Sequence, residues 1–319
     1  MTMPKSRFTY RCGALVVICS ALFACSANRA TQDSQGSETE ALSSSSNASV
    51  SASTSSAFIS TAISKALVTQ TGEVKARYPY RNPGETLTFF GIKPGMTVVE
   101  ALPGGGWYSK ILLPVLGSNG QLIGANYAPE LWPNFNFTND EFLARQKTWT
   151  TDWPAGAEEW RTESSAGVSA FVFSQLPQSM HATADAVLFI RALHNMARFD
   201  TAFLDQAIQD SFDILKPGGI VGIVQHEARP DMPDEWADGS AGYLKKTFVI
   251  ARMEAAGFEY VGESDINNNP ADRPTTDDIV WRLPPSLATS REDEALKATL
   301  QAVGESHRMT LKFAKPGVS

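Results

Sequence analysis

Val98-Val99-Glu100-Ala101-Leu102-Pro103-Gly104-Gly105-Gly106 is the stretch on which the fold turns. Two β-branched residues start a buried strand that runs into a carboxylate. A proline then stiffens the chain, and three glycines follow before a helical stretch, Trp107–Leu116. A strand, a glycine turn and a helix in that order open a crossover unit of a parallel sheet. Glycine lets a backbone come close to a ligand, and the helix start beyond it presents N–H groups without partners. The plain alternative is a tight turn with no ligand at all.

Working outward, strands and helices alternate. Upstream, Ala57–Gln70 carries Ile59, Ile63 and Leu67 at helical spacing, and Glu85–Phe90 reads as a short helix stopped at Gly91. Downstream, strands are expected at Gln121–Asn126, Val168–Phe173, Ala186–Ile190, Ile220–Gln225 and Glu259–Ser264. Helices are expected at Phe203–Leu215, closed by Lys216-Pro217-Gly218-Gly219, and at Tyr243–Gly257. Met309–Phe313 alternates and reads as a final antiparallel edge strand. The expected architecture is a Rossmann-like α/β fold: a doubly wound, mostly parallel sheet of seven strands, the last antiparallel, with helices on both faces. Ligands of such sheets sit at the carboxyl ends of the strands, where Glu100 and the glycines belong.

The order of acid and glycines narrows the ligand. A dinucleotide loop reads G-x-G-x-x-G with an acid ending the second strand. Here Ser109 stands three after Gly106, the second strand ends in Asn126, and the acid, Glu100, comes before the glycines. Val98–Gly106 instead resembles the first motif of class I S-adenosylmethionine-dependent methyltransferases, with Leu102 where the first glycine usually stands. The longer RYPYRNPGETLTFFGIKPGMTVVEALPGGGWYSKILLP (Arg77–Pro114), NPADRPTTDDIVWRLPPS (Asn269–Ser286) and HRMTLKFAKP (His307–Pro316) resemble blocks of an exported bacterial subgroup of predicted methyltransferases. The resemblance implies S-adenosylmethionine as cofactor and a small-molecule methyl acceptor. It would place Glu100 at the methionine amino group, and Gly104, Gly105 and Gly106 around the carboxypropyl chain and ribose. Asn126 takes the place of the ribose-binding acid, with Glu130 as a substitute. Gln175, beside Ser174 after the third strand, takes the place of the adenine contact. Leu102, Asn126 and Ser174 depart from the family pattern and favour a second reading: a methyltransferase fold, without catalysis, binding another small molecule or a protein.

Among the four histidines, His194 follows the fourth strand and His226 the fifth, so both are expected on one rim as residues that deprotonate or orient an acceptor. A hydrolytic metal site on His194, His226 and Glu227 is a weaker option, because no H-x-x-x-H or H-x-H spacing supports it. Trp132, Trp149, Trp153 and Trp160 fall in a stretch without strands, which serves either as packing or as a lid. The polar loop Arg229–Gly242 either closes over a ligand or is surface only.

The N-terminus reads as a targeting segment. Lys5, Arg7 and Arg11 precede an apolar stretch, Gly13–Ala24, too short to cross a bilayer comfortably. Leu22-Phe23-Ala24-Cys25 resembles a bacterial lipobox, which implies cleavage after residue 24 and membrane attachment through a lipid on Cys25; an uncleaved anchor is the alternative. Both readings put the domain outside the cytoplasm, and Ser26 resembles the outer-membrane-sorted type. Residues 25–56 are Ser-rich, with almost no bulky apolar side chains, and read as a disordered tether. That leaves 57–319 as the α/β domain. Over the whole chain, 43% hydrophobic residues suffice for a sizeable core, while a formal charge of −7 argues against a nucleic-acid partner. No cysteine follows Cys25, which excludes disulfides and thiolate metal sites from the domain.

Overall fold

The computed structural model describes residues 60–317; the targeting segment, Cys25 and the tether lie outside the described residues. The strands are β1 (Thr97–Ala101), β2 (Gln121–Asn126), β3 (Gly167–Val172), β4 (Ala184–Ile190), β5 (Leu215–Ala228), β6 (Leu244–Lys245), β7 (Glu259–Ser264) and β8 (Arg308–Ala314). The helices are α1 (Thr61–Val68), α2 (Gly72–Lys75), α3 (Tyr78–Arg81), α4 (Pro83–Phe90), α5 (Ser109–Leu116), α6 (Asp140–Lys147), α7 (Trp149–Ala157), α8 (Leu193–Phe199), α9 (Thr201–Ile214), α10 (Lys246–Ala255) and α11 (Glu294–Val303).

Strand order is β3-β2-β1-β4-β5-β8-β7, with the two-residue β6 pairing off the end of β5. The first five strands are parallel, and β8 runs antiparallel to both β5 and β7. This is the doubly wound sheet expected from the sequence, with two corrections. The last strand is not an edge: β8 lies between β5 and β7, and β7 is the edge. Its composition agrees, since Met309, Leu311 and Phe313 are almost wholly buried. A second correction concerns Lys216–Gly219, which does not end a helix cleanly. It bulges within β5, because Ala184 pairs with Leu215 while Ala186 pairs with Ile220.

Alternation along each strand feeds two cores, as a period of two requires. Val98, Leu122, Ala186 and Leu188 face α1, α4 and α5. Val99, Ile123, Val187 and Phe189 face α8, α9 and α10. The β1–β2 crossover therefore leaves on one face and the β4–β5 crossover on the other. Between β1 and β4 the connections part and leave a crevice at the strands' carboxyl ends. A third small cluster, built from Met232, Trp236, Tyr243 and Val280, caps the end of β5. The loop Arg229–Gly242 is thus packed structure, with Trp236 stacked on Tyr243 at 5.1 Å.

Candidate active site

A cavity of about 310 Å³ opens at that switch point. Leu102 lines it from the end of β1, Ile190 and Arg191 from β4, His194 from α8, and His226 from β5. Chain from 280–285 and from Glu305-Ser306 closes the other side, with Trp281 edge-on to His194 at 5.8 Å. A larger cleft of about 820 Å³ lies between α1 and α5, beside Pro94 and Gly117, the turns that precede β1 and β2. It is thus at the amino ends of the strands, away from the crevice.

Two of the six non-glycine residues with positive φ among the described residues line the cavity. Leu102 has φ +54° and Arg191 has φ +59°, a left-handed conformation that favours glycine. Leu102 therefore adopts a backbone conformation that glycine would take more easily. Neighbouring strands hold it there: its N–H donates to the Ala125 carbonyl at 2.7 Å, and that of Arg191 to Val224 at 2.6 Å. Two non-glycine residues forced left-handed at adjacent strand ends are the kind of strain that persists around functional crevices.

His194 and His226, expected on one rim, do meet: their ring centroids are 5.5 Å apart. His194 lies in the first turn of α8, a helix not expected from the sequence. Its Nδ1 rests against the Gln225 amide, 3.4 Å from the nitrogen and 3.5 Å from the oxygen. Gln225 is in turn fixed by accepting from Leu193 N–H and donating to the Gly242 carbonyl. His226 Nδ1 lies 2.5 Å from Ser306 Oγ. Burial pushes the His194 pKa down to about 4, and burial, His194 and nearby arginines hold His226 well below the usual imidazole range. Both rings are neutral at pH 7, as proton acceptors must be. Glu227 turns elsewhere, 3.6 Å from Lys246 and 3.5 Å from His307, so it does not join the two histidines as a third metal ligand.

The other expected site residues lie off this cavity. Glu100 is buried on the α5 face, where its Oε2 accepts from Ser109 Oγ at 2.6 Å; Oε1 has no hydrogen-bond partner among the described residues. Burial raises its pKa to about 7, against the lowering effect of Ser109. A Cβ on Gly105 would meet nothing, and one on Gly104 only the Leu102 carbonyl at 3.9 Å, so the backbone there is open. Gly106 differs: a Cβ would run into the Trp160 ring. Asn126 is tied at both ends of its amide, donating to Gln146 and accepting from Tyr127 N–H. Glu130 and Gln175 are exposed, the first on a short 3-10 turn and the second just past β3. The four tryptophans pack against protein: Trp132 among Tyr127, Phe135 and Phe142, Trp149 on Trp153, Trp153 over Gly124, and Trp160 on Gly106. None lines the cavity; the tryptophan that does is Trp281.

Arg191, Trp281, Glu305 and Ser306 were not singled out by sequence reasoning. Arg77 and Arg81 stand in one of the resembling blocks, and Glu305 and Arg308 around the start of another, with nothing in either block marking them as buried. Nothing local links blocks more than 200 residues apart.

No family model matches the chain, and no curated protein matches it. Solved structures do. The [4+2]-cyclase SpnF is 16% identical, with 75% of this chain and 82% of that one covered at a TM-score of 0.49. A SAM-dependent methyltransferase from Aquifex aeolicus is 16% identical, covering 64% and 93%, with a TM-score of 0.42. A geranyl diphosphate C-methyltransferase from Streptomyces coelicolor is 15% identical, covering 76% and 84%, at 0.44. Likenesses this distant speak to neither ligand nor chemistry, which rest on the site itself.

Proposed function

We propose that the chain is an S-adenosylmethionine-dependent methyltransferase acting on a small molecule, held in the bacterial cell envelope by a lipid on Cys25. The observation that carries the chemistry is the pairing of His194, just past the end of β4, with His226 on β5, both neutral and buried beside the β1/β4 switch point. The lipobox-like Leu22–Cys25 and the preceding basic and apolar residues support the location.

The residues at β1 fit a cationic, flexible cofactor. Glu100 offers a free carboxylate oxygen, suited to an ammonium group, beside the open backbone of Gly104 and Gly105. Bound S-adenosylmethionine would supply an electrophilic methyl group on a sulfonium centre. The chain's own part is then to seat the acceptor in the cavity and to exclude water with Trp281 and the 283–285 segment. As the acceptor loses its proton, a neutral imidazole of His194 or His226 takes it. Gln225 and Ser306 fix the two rings so that one nitrogen of each is engaged and the other is free.

A second reading, a binding protein that keeps the fold without the transfer, is favoured by Asn126 and Gly106, whose expected contacts are taken up by Gln146, Tyr127 and Trp160. Calorimetry of the purified protein separates the two. Saturable heat at submillimolar S-adenosylmethionine, abolished in Glu100→Ala with the circular dichroism intact, is expected for the enzyme. A folded protein that gives no heat belongs to the second reading.

A further inference from the structure

The cavity carries more positive charge than its protein surroundings balance. Arg77, Arg81 and Arg308 all pair with one carboxylate, Glu305, itself almost wholly buried. Arg191 adds a fourth guanidinium to the same group, lines the cavity, and makes no side-chain hydrogen bond or ion pair among the described residues. Its Nε is buried and unpartnered, as is that of Arg308. The two neutral histidines add no further charge to this excess. Four guanidiniums around one carboxylate leave three charges in excess at a place largely withdrawn from water. Desolvated charge without a partner is among the most expensive features a fold can hold. Arg191 is also kept in a left-handed backbone conformation, which delivers that charge to the cavity wall at a further conformational cost.

We propose that the cavity binds the oxyanion group of its ligand, a phosphate or a carboxylate, with Arg191 as the residue that grips it. A guanidinium is planar and presents paired donors, so it meets a planar carboxylate or a phosphate face with two parallel hydrogen bonds. Leu102, Val280 and Trp281 would hold an apolar remainder of the ligand, while His194 and His226 stand beside it. A volume of about 310 Å³ suits a small molecule rather than a polymer. This names the class of acceptor for the proposed transfer, and so rests on that reading for its role, though anion binding itself needs no cofactor.

The test uses the purified full chain without S-adenosylmethionine. Sodium phosphate and sodium succinate are each titrated against sodium chloride at matched ionic strength, following the thermal midpoint. One of the two is expected to raise the midpoint saturably, which tells phosphate from carboxylate, while chloride does not. In the same titration, imidazole resonances of His194 and His226 in the unmutated protein are expected to shift. Arg191→Met is expected to weaken the anion at least tenfold while still giving heat with S-adenosylmethionine. The proposal is overturned if neither anion outdoes chloride, if the histidine resonances stay fixed at saturation, or if Arg191→Met binds the anion as before. Loss of S-adenosylmethionine heat together with the anion would also overturn it, by assigning Arg191 to the cofactor. Absence of cofactor heat in the unmutated protein, with anion binding intact, would count against methyl transfer and leave the anion site standing.

Discussion

Glu100 holds its proton to about pH 7, some way above its ordinary value of 4.5, because burial disfavours the charged form. The folded protein thus binds this proton more tightly than the unfolded chain does. Its penalty is absent below about pH 4.5, grows between there and 7, and reaches about 3 kcal/mol above that. Glu100→Gln, which keeps an oxygen for Ser109 Oγ, is expected to raise the thermal midpoint by several degrees at pH 8 and to leave it unchanged at pH 4. Equal shifts at both pH values would show that charge burial is not the cause. His194 works in the opposite sense. Its folded pKa of about 4 lies below the ordinary 6.5, so its contribution to stability is complete above pH 6.5 and declines as pH falls towards 4. In an NMR titration its ring resonances are expected to move with a midpoint near 4; a midpoint near 6.5 would mean an exposed ring. At this scale the sequence was informative, since an acid before three glycines marked Glu100 and the strand ends marked both histidines. It was silent on Arg191, because an arginine after a strand looks like any surface arginine until its partners are counted.

Helix α8 carries His194, and one glycine fixes how closely the neighbouring loop can approach it. Gly239 has φ +101°, and a Cβ there would strike the His194 carbonyl. Gly239→Ala is expected to cost about 2–4 kcal/mol in chemical denaturation and to move the His194 resonances. An unchanged spectrum would mean that the loop simply yields. Strand β2 and strand β7 match their sequence readings residue for residue, since each is a short apolar or alternating run bounded by glycine or a turn. Helix α8 escaped because seven residues, Leu193–Phe199, carry no capping hydrogen bond and abut α9 at Asp200, so there is no boundary signal to read. Helix α11 escaped too, although Asp293 caps it through Leu296 N–H. The 127–166 stretch resolved into packing because its tryptophans fill the space over Gly106 and Gly124, a relation between elements that no window of sequence contains.

Across the molecule, Glu305 ties the first helices to the last strand, with Arg77 and Arg81 on one side and Arg308 on the other. Burial alone would raise its pKa, but Arg81, Arg308, Arg191 and Arg77 together hold it below the ordinary value, so it is ionised at pH 7. Glu305→Gln would leave four guanidiniums facing one another, and a loss of about 3–5 kcal/mol in unfolding free energy is expected. Phosphate is expected to restore part of that loss. A variant as stable as the parent would mean that water already screens the cluster. The doubly wound, mostly parallel sheet was legible because strands and helices alternate along the chain; the order β3-β2-β1-β4-β5 was not read, because β4 leaves β3 and pairs across the sheet with β1. The place of β8 was not, because antiparallel insertion of a C-terminal strand depends on which edge stays open, and amphipathic alternation says nothing about that.

That insertion has a consequence in time. Synthesis runs from the N-terminus at roughly 5–20 residues per second, and β8 is the last element to emerge. Until it does, β5 has an open edge, β7 has no partner, and Glu305 and Arg308 have not met Arg77 and Arg81. The sheet is completed only once β8 has emerged and paired with both β5 and β7. A nascent chain stalled before residue 308 is therefore expected to remain sensitive to protease, and the released protein to become resistant in a single step.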